Sequence, residues 1–214
     1  MLPIHLLQAL SALPFVLSSP LPPSTISPSA ILSLAPETST CADAPFPEEC
    51  RTATQAAPYI ALSYSNFHID TFGAQAALLA HMLFESGNFK YSRNHFPEPG
   101  RPGQGTRNMQ MLEWNVKYAN YLATECTNCG IESAAVSKAE ATGGDAVLEL
   151  VNNDFGSFGS AAWFLRTQCG AEICEGVGTA SQEGWEAFLT GCVGVEATED
   201  RTEIWRKAIA KGRW

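Results

Sequence analysis

Between Thr71 and Gly87 the chain reads TFGAQAALLAHMLFESG, and its apolar positions Leu78, Leu79, Met82 and Leu83 recur at three- and four-residue spacing. That spacing predicts a helix with one buried face. Glu85 follows Met82 by three residues and Leu78 by seven, so it projects from the same face at the helix end. Burial and the negative end of the helix dipole both disfavour a charged carboxylate there. A carboxyl that keeps its proton near neutral pH serves as a general acid. The plainer reading turns Glu85 to water on a frayed last turn.

The rest of the chain is patterned the same way. Helices are expected over Glu48–Ser63, Met109–Thr124 and Ser133–Ala141, then from a capping Asp145 to Asn153. Ser157–Arg166 is almost wholly apolar and reads as a central buried helix. Two more open at Ser181 and at Glu199 or Asp200. No period-2 run is long enough to trust as a strand, so the class is mainly α, with room for a small β-hairpin between Tyr91 and Thr106. Gly87 stops the Glu85 helix. The stretch after it, NFKYSRNHFPEPGRPGQGT, carries prolines and glycines that forbid a long helix. Irregular segments of that length tend to be functional. This one is locally basic, with Lys90, Arg93, Arg101 and the adjoining Arg107 against Glu98 alone.

Composition changes the picture in three ways. The net charge of −9 over 214 residues argues against nucleic acid and polyanions, unless a local basic patch overrides it. Met1–Ser18 has the apolar, small-residue-ended pattern of a secretory leader, though it lacks a starting Lys or Arg. No other stretch suits a membrane span. Residues 19–40 are rich in Pro, Ser and Thr and read as a disordered linker, which starts the folded domain, 41–214, near Cys41. Seven cysteines behind a leader point to disulfides and an extracellular location. Cys41 with Cys50 and Cys169 with Cys192 are the expected pairs. Cys126, Cys129 and Cys174 remain, leaving at least one thiol over. Cys126, Cys129, Cys169 and Cys174 alternatively supply the four thiolates of a zinc site; the main expectation is no metal and no cofactor. The chain holds no G-x-S-x-G, no H-E-x-x-H and no phosphate-binding loop.

What remains is an ordered constellation. Glu85-Ser86-Gly87-Asn88-Phe89 comes first, then Gly103-Gln104-Gly105, then Arg107-Asn108-Met109-Gln110, then Asn115 and Tyr118 on a helix. Ser157-Phe158-Gly159-Ser160-Ala161-Ala162-Trp163-Phe164 comes last. An acid beside amides and rings suits a sugar polymer. Amides bond hydroxyls, rings stack on pyranose faces, and the acid protonates the glycosidic oxygen.

Glu85-Ser86-x-x-Phe89, a glycine loop and Met109-Gln110 together resemble the lytic transglycosylases and goose-type lysozymes. The same order, with Gly105, Gln110, Asn115, Tyr118 and Ser157–Phe164, resembles the plant-type chitinases. The chain is also similar to a group of secreted fungal proteins sharing N-H-F-P, P-G-Q-G-T-R-N-M-Q and A-A-W-F segments. The resemblance spans Thr71 to Phe164 and implies a lysozyme-like, two-lobed helical fold. It further implies cleavage of a β-1,4-linked N-acetylhexosamine polymer, peptidoglycan or chitin; a monomer is expected, and charge and hydropathy point to neither nucleic acid nor membrane as a partner. Glu85 is then the general acid. Gln110, Asn115, Tyr118 and Tyr91 hold the sugar, and Arg107 and Asn108 shape the cleft. The chain departs from those families in a longer loop after Glu85 and in the lack of a motif for a second carboxylate, for which Glu98 and Glu113 are the candidates. A non-catalytic glycan-binding or effector protein on the same fold is the alternative. Without the motif order, Gln110 reads as a loop cap, Tyr91 and Tyr118 as packing, and Arg107 as a loop pin.

Overall fold

The computed structural model describes residues 26–127 and 129–214; the expected leader and the first part of the expected linker lie outside them. The described chain is mainly helical. Its elements are α1 (Pro28–Leu34), α2 (Ala53–Asn66), α3 (Phe72–Glu85), α4 (Leu112–Glu125), α5 (Ser133–Thr142), α6 (Gly144–Val151), α7 (Asp154–Gln168), α8 (Ala171–Gly178), α9 (Gln182–Ala187) and α10 (Glu199–Lys211). A 3-10 turn, Pro36–Ser39, follows α1, and a π-type turn, Phe188–Val193, follows α9. Among the described residues the expected hairpin is reduced to two isolated antiparallel bridges, Arg93 with Gly105 and Gly105 with Gln110. No helix among them is long and apolar enough to cross a membrane.

Two apolar clusters share α7. Its Phe158, Ala161, Ala162 and Leu165 face a large cluster built with α1, α2, α3, α8, α9 and α10. Its Trp163 and Phe164 face a smaller one built with α4, α5 and α6. A helix apolar on every side belongs between two layers, and α7 is buried from Gly156 to Leu165. The central helix of the large cluster is α3, buried from Gly73 to Leu83. Each of Leu78, Leu79, Met82 and Leu83 removed from water there is worth about 1.5–3 kcal/mol. The Thr71 side chain caps its first turn.

Several sequence expectations are corrected here. The 19–40 linker folds over 26–40: Ser27 caps α1, Pro28 starts it, and Ile26, Ile31 and Leu34 are buried in the large cluster. Three buried apolar side chains, two of them one turn apart on α1, outweighed a composition that reads as disordered. The first long helix begins at Ala53, not Glu48, because Thr52 and Gln55 form a reciprocal capping box. Asp145 does not cap α6; Gly143 occupies that position, and Asp145 accepts from the Gly103 N–H at 3.1 Å. The glycine-rich stretch between Cys169 and Cys192 contains α8, whose Gly176 carbonyl lies against Gly184. A Cβ on Gly184 would stand 2.1 Å from that oxygen, so only glycine lets α8 and α9 meet.

Cys41–Cys50 and Cys169–Cys192 are bonded as expected, Cys126 is bonded to Cys129, and Cys174 is the free thiol. With three of its four sulfurs in disulfides, the four-thiolate zinc alternative falls.

Candidate active site

Glu85 is the last residue of α3, and the chain behind it is bent in a way its neighbours explain. The Ser86 hydroxyl donates to the Met82 carbonyl at 2.6 Å and accepts from the Phe89 N–H at 3.0 Å. Gly87, Asn88 and Phe89 then take φ of 55°, 59° and 63° in succession. Left-handed geometry is costly for asparagine and more so for phenylalanine. It is held because Phe89 is fully buried, edge-on to Phe158 at 5.3 Å. Ser86 and Phe89 of the Glu85 motif are therefore the latch that ends α3 and leaves Glu85 at the rim.

The loop that follows is organised by two buried charges. Glu49 accepts from the N–H groups of Ser92 (2.7 Å) and Arg93 (3.0 Å) and pairs with His95 Nε2 at 2.7 Å. Arg107, 1% exposed, donates to the carbonyls of Phe89 (3.0 Å), Tyr91 (2.8 Å) and Glu49 (2.6 Å). Its guanidinium also lies 4.8 Å from the centre of the Phe158 ring. Burial lowers its pKa to about 10, with Arg51 adding to the lowering and Asp154 and Glu49 opposing it. It stays charged at neutral pH. Asn94 Oδ1 accepts from Phe96 N–H and Arg101 N–H, which closes the loop tip and leaves the Phe96 ring 82% exposed.

Glu85 opens into a cleft of about 390 Å³ between the two clusters. Gln104, Asn108, Gln110 and Trp114 line it together with His81, Phe188 and Arg201. Glu85, Gln104 and Met109 also line an adjoining groove of about 310 Å³ with Tyr91, Arg93, Asn94, His95 and Phe96. The two adjoin at Glu85, Gln104 and Met109, which line both, and together they are the trench. Three polar atoms buried along it have no hydrogen-bond partner: His81 Nδ1, Gln104 Oε1 and Gln110 Oε1. Orphaned buried acceptors are costly unless a ligand donates to them. A larger concavity of about 630 Å³ lies elsewhere, lined by Leu62, Phe67, Tyr121, Phe155 and the Cys126–Cys129 disulfide. Its one charged side chain is Glu125 and, among the described residues, it holds no orphaned polar atom, so size does not make it the reactive site.

The structure brings together Glu85, Gln110 and Asn108 in the cleft and Tyr91 in the adjoining groove. It removes three expected sugar-binding or cleft residues from any ligand. Asn115, fully buried, donates to the carbonyls of Gly103 (2.7 Å) and Gln110 (3.2 Å) and accepts from Gln110 Nε2 at 2.7 Å. Tyr118, fully buried, donates to the Gly156 carbonyl at 3.1 Å and packs on Trp163. Arg107 acts from beneath the loop. Backbone carbonyls already take up these donors. Asn108, 8% exposed, accepts from the Thr106 and Ser160 hydroxyls and so shapes the floor. Glu98 and Glu113 are exposed and line neither half of the trench, so neither is the second carboxylate.

Two residues escaped the sequence reading. Arg201, from α10, makes an ion pair with Glu85 and lies 4.2 Å over the Phe84 ring. No local pattern joins positions 116 residues apart. His81 was legible, because it stands four residues before Glu85 on the same helix face; its Nδ1 lies 3.9 Å from the Glu85 carboxylate. Burial lowers the His81 pKa to about 4; the Glu85 carboxylate opposes the shift and Arg201 adds to it. Unfolded histidine takes its proton near 6.5. Between those values the unfolded chain binds more protons, so stability falls as pH drops from about 6.5 to about 4. This group adds no further slope below that. The whole effect is about 3 kcal/mol. His81→Leu removes that slope, as read by denaturant midpoints at pH 7 and pH 4.5.

No protein-family model matches the chain. It is similar to a segment of a bifunctional dioxygenase (DOX)-epoxy alcohol synthase (EAS) of Fusarium oxysporum (strain Fo5176), at 38% identity over 169 residues. The match covers 78% of this chain, which spans only 13% of the length of that relative.

Proposed function

We propose that the chain is a secreted glycan-cleaving enzyme of lysozyme-like type, acting on a β-1,4-linked N-acetylhexosamine polymer such as peptidoglycan or chitin. The observation that carries this is the position of Glu85, which lines both the cleft and the groove adjoining it. A polymer crossing the trench puts a linkage at Glu85 and sugars on either side. Gln104 and Gln110 offer unpartnered carbonyl oxygens to hydroxyl or acetamido N–H groups. Trp114 and Phe96 offer rings to pyranose faces.

In the reaction Glu85, carrying a proton, gives it to the glycosidic oxygen. The bond from that oxygen to the anomeric carbon breaks, and the leaving sugar departs as an alcohol. Among the described residues, Glu85 is the only carboxylate lining the trench. After donating, it is the base at hand to take a proton from the attacking oxygen, whether of water or of the sugar's own hydroxyl. That returns Glu85 to its starting state with no second acid. The match to a segment of an oxidative enzyme does not bring that protein's activities here, because they are named for a chain of which 13% is aligned.

The reading is tested by turbidity and reducing-sugar assays on bacterial walls and soluble chitin, with Glu85→Gln beside the natural protein. The exposed ring gives a separate test. Phe96→Ala raises KM for long polymers about three- to tenfold and leaves kcat at saturation unchanged. An unaltered KM removes Phe96 from the binding surface.

A further inference from the structure

The trench is positive in a negative protein. Over the whole chain the net charge is −9, yet the charged side chains lining the cleft are Arg101 and Arg201 against Glu85. The excess is not neutralised by a neighbour. Arg101 is exposed, makes no ion pair with any described residue, and its guanidinium has only the Met111 sulfur, 4.0 Å from Nη1, as a hydrogen-bond partner among the described residues. Arg201 reaches Glu85 through Nη1 alone. A guanidinium has five N–H donors and prefers to meet a carboxylate through two of them. The other nitrogens of Arg201 have no protein acceptor among the described residues and are not sealed from solvent.

An ionised carboxylate bonded to a guanidinium is an acceptor, not a proton donor. For Glu85 to act as an acid its arginine has to be drawn off. A neutral sugar offers nothing in exchange for that ion pair, whereas a ligand carboxylate offers Arg201 a full replacement.

Resting on the glycan-cleaving reading, we propose that the trench selects a glycan carrying a carboxylate on its sugars. Arg101 and Arg201 receive that group, and its arrival takes Arg201 off Glu85, whose freed carboxylate then takes a proton from solvent and can give it to the glycosidic oxygen. Arg101 is a specificity residue of the rim. Arg201 is a positioning residue that holds Glu85 out of use until an acidic substrate binds.

The test uses the full chain and three polymers: peptide-free peptidoglycan strands with their muramic carboxylates, the same strands with those carboxylates amidated, and soluble chitin. The natural protein is expected to show kcat/KM at least about tenfold higher on the acidic strands than on the amidated ones. Arg101→Gln removes that preference by raising KM on the acidic strands alone. Arg201→Gln also removes it, and raises kcat on chitin, which an arginine that only braces α10 would not do. Equal rates on acidic and amidated strands overturn the proposal while the glycan reading stands, as does a preference that survives both substitutions. If the natural protein cleaves none of the three, the glycan reading and this inference fall together.

Discussion

Glu85→Gln lowers kcat on wall polymer by about 10²–10⁴-fold, the usual contribution of a positioned general acid, with KM little changed. Glutamine has the same shape and its carbonyl oxygen still accepts from Arg201, so the α3–α10 contact survives and the fold is retained. That makes the variant informative: a loss of activity reports the missing proton, not a collapsed cleft. The check is a pair of measurements on one preparation, initial rates on walls and chitin and a thermal midpoint. Full activity in the variant removes Glu85 from the chemistry. The trench would then be the binding surface of a protein that has no acid to deliver, which is the alternative raised from the sequence. That alternative predicts equal binding of chitin oligomers by the natural protein and by the Glu85→Gln variant, with no cleavage by either.

Arg107→Ala has its large effect on stability. Three loop carbonyls, of Glu49, Phe89 and Tyr91, lose their donor together. The Phe158 ring loses the cation above it as well. Truncating one member of a buried polar network costs about 3–5 kcal/mol, a large part of a typical domain's stability. Denaturant unfolding of the variant measures it. Arg107→Lys keeps the charge but cannot reach three carbonyls from one nitrogen, so it falls between the two. An arginine that touched substrate would behave in the opposite way, raising KM and leaving the midpoint alone. The two variants together decide between the sequence expectation and the placement seen in the structure.

The same contrast runs through the rest of the site. The spacing of Leu78, Leu79, Met82 and Leu83 placed Glu85 at the end of a buried helix, and the structure has it there. The order of Glu85, the glycine loop and Gln110 brought the last into the same cleft. Asn115 and Tyr118 matched the same motif order, yet they are buried. A motif records which residues stand near a site, and does not distinguish a side chain that touches the ligand from one that holds the loop that does. The Ile26–Leu34 segment was hidden in a different way. Its prolines and serines dominate the composition, while its three anchoring side chains are few.

Local interactions account for what the sequence alone determined: the helical class, most helix positions, two of the three disulfides and the acid at the end of α3. The helices and the acid depend on residues a few positions apart or on the chemistry of a single side chain, and the two disulfides join cysteines 9 and 23 positions apart. What only the tertiary structure decided depends on contacts between distant segments. Packing of α10 on α3 set Arg201 against Glu85. Folding of the loop over Arg107 turned a residue expected to shape the cleft into a strut beneath the loop. Bringing the two clusters together on either side of α7 made the trench itself. A pairing energy between segments so far apart in the chain leaves no periodic trace along it, because nothing in the local pattern encodes which surface a helix will meet.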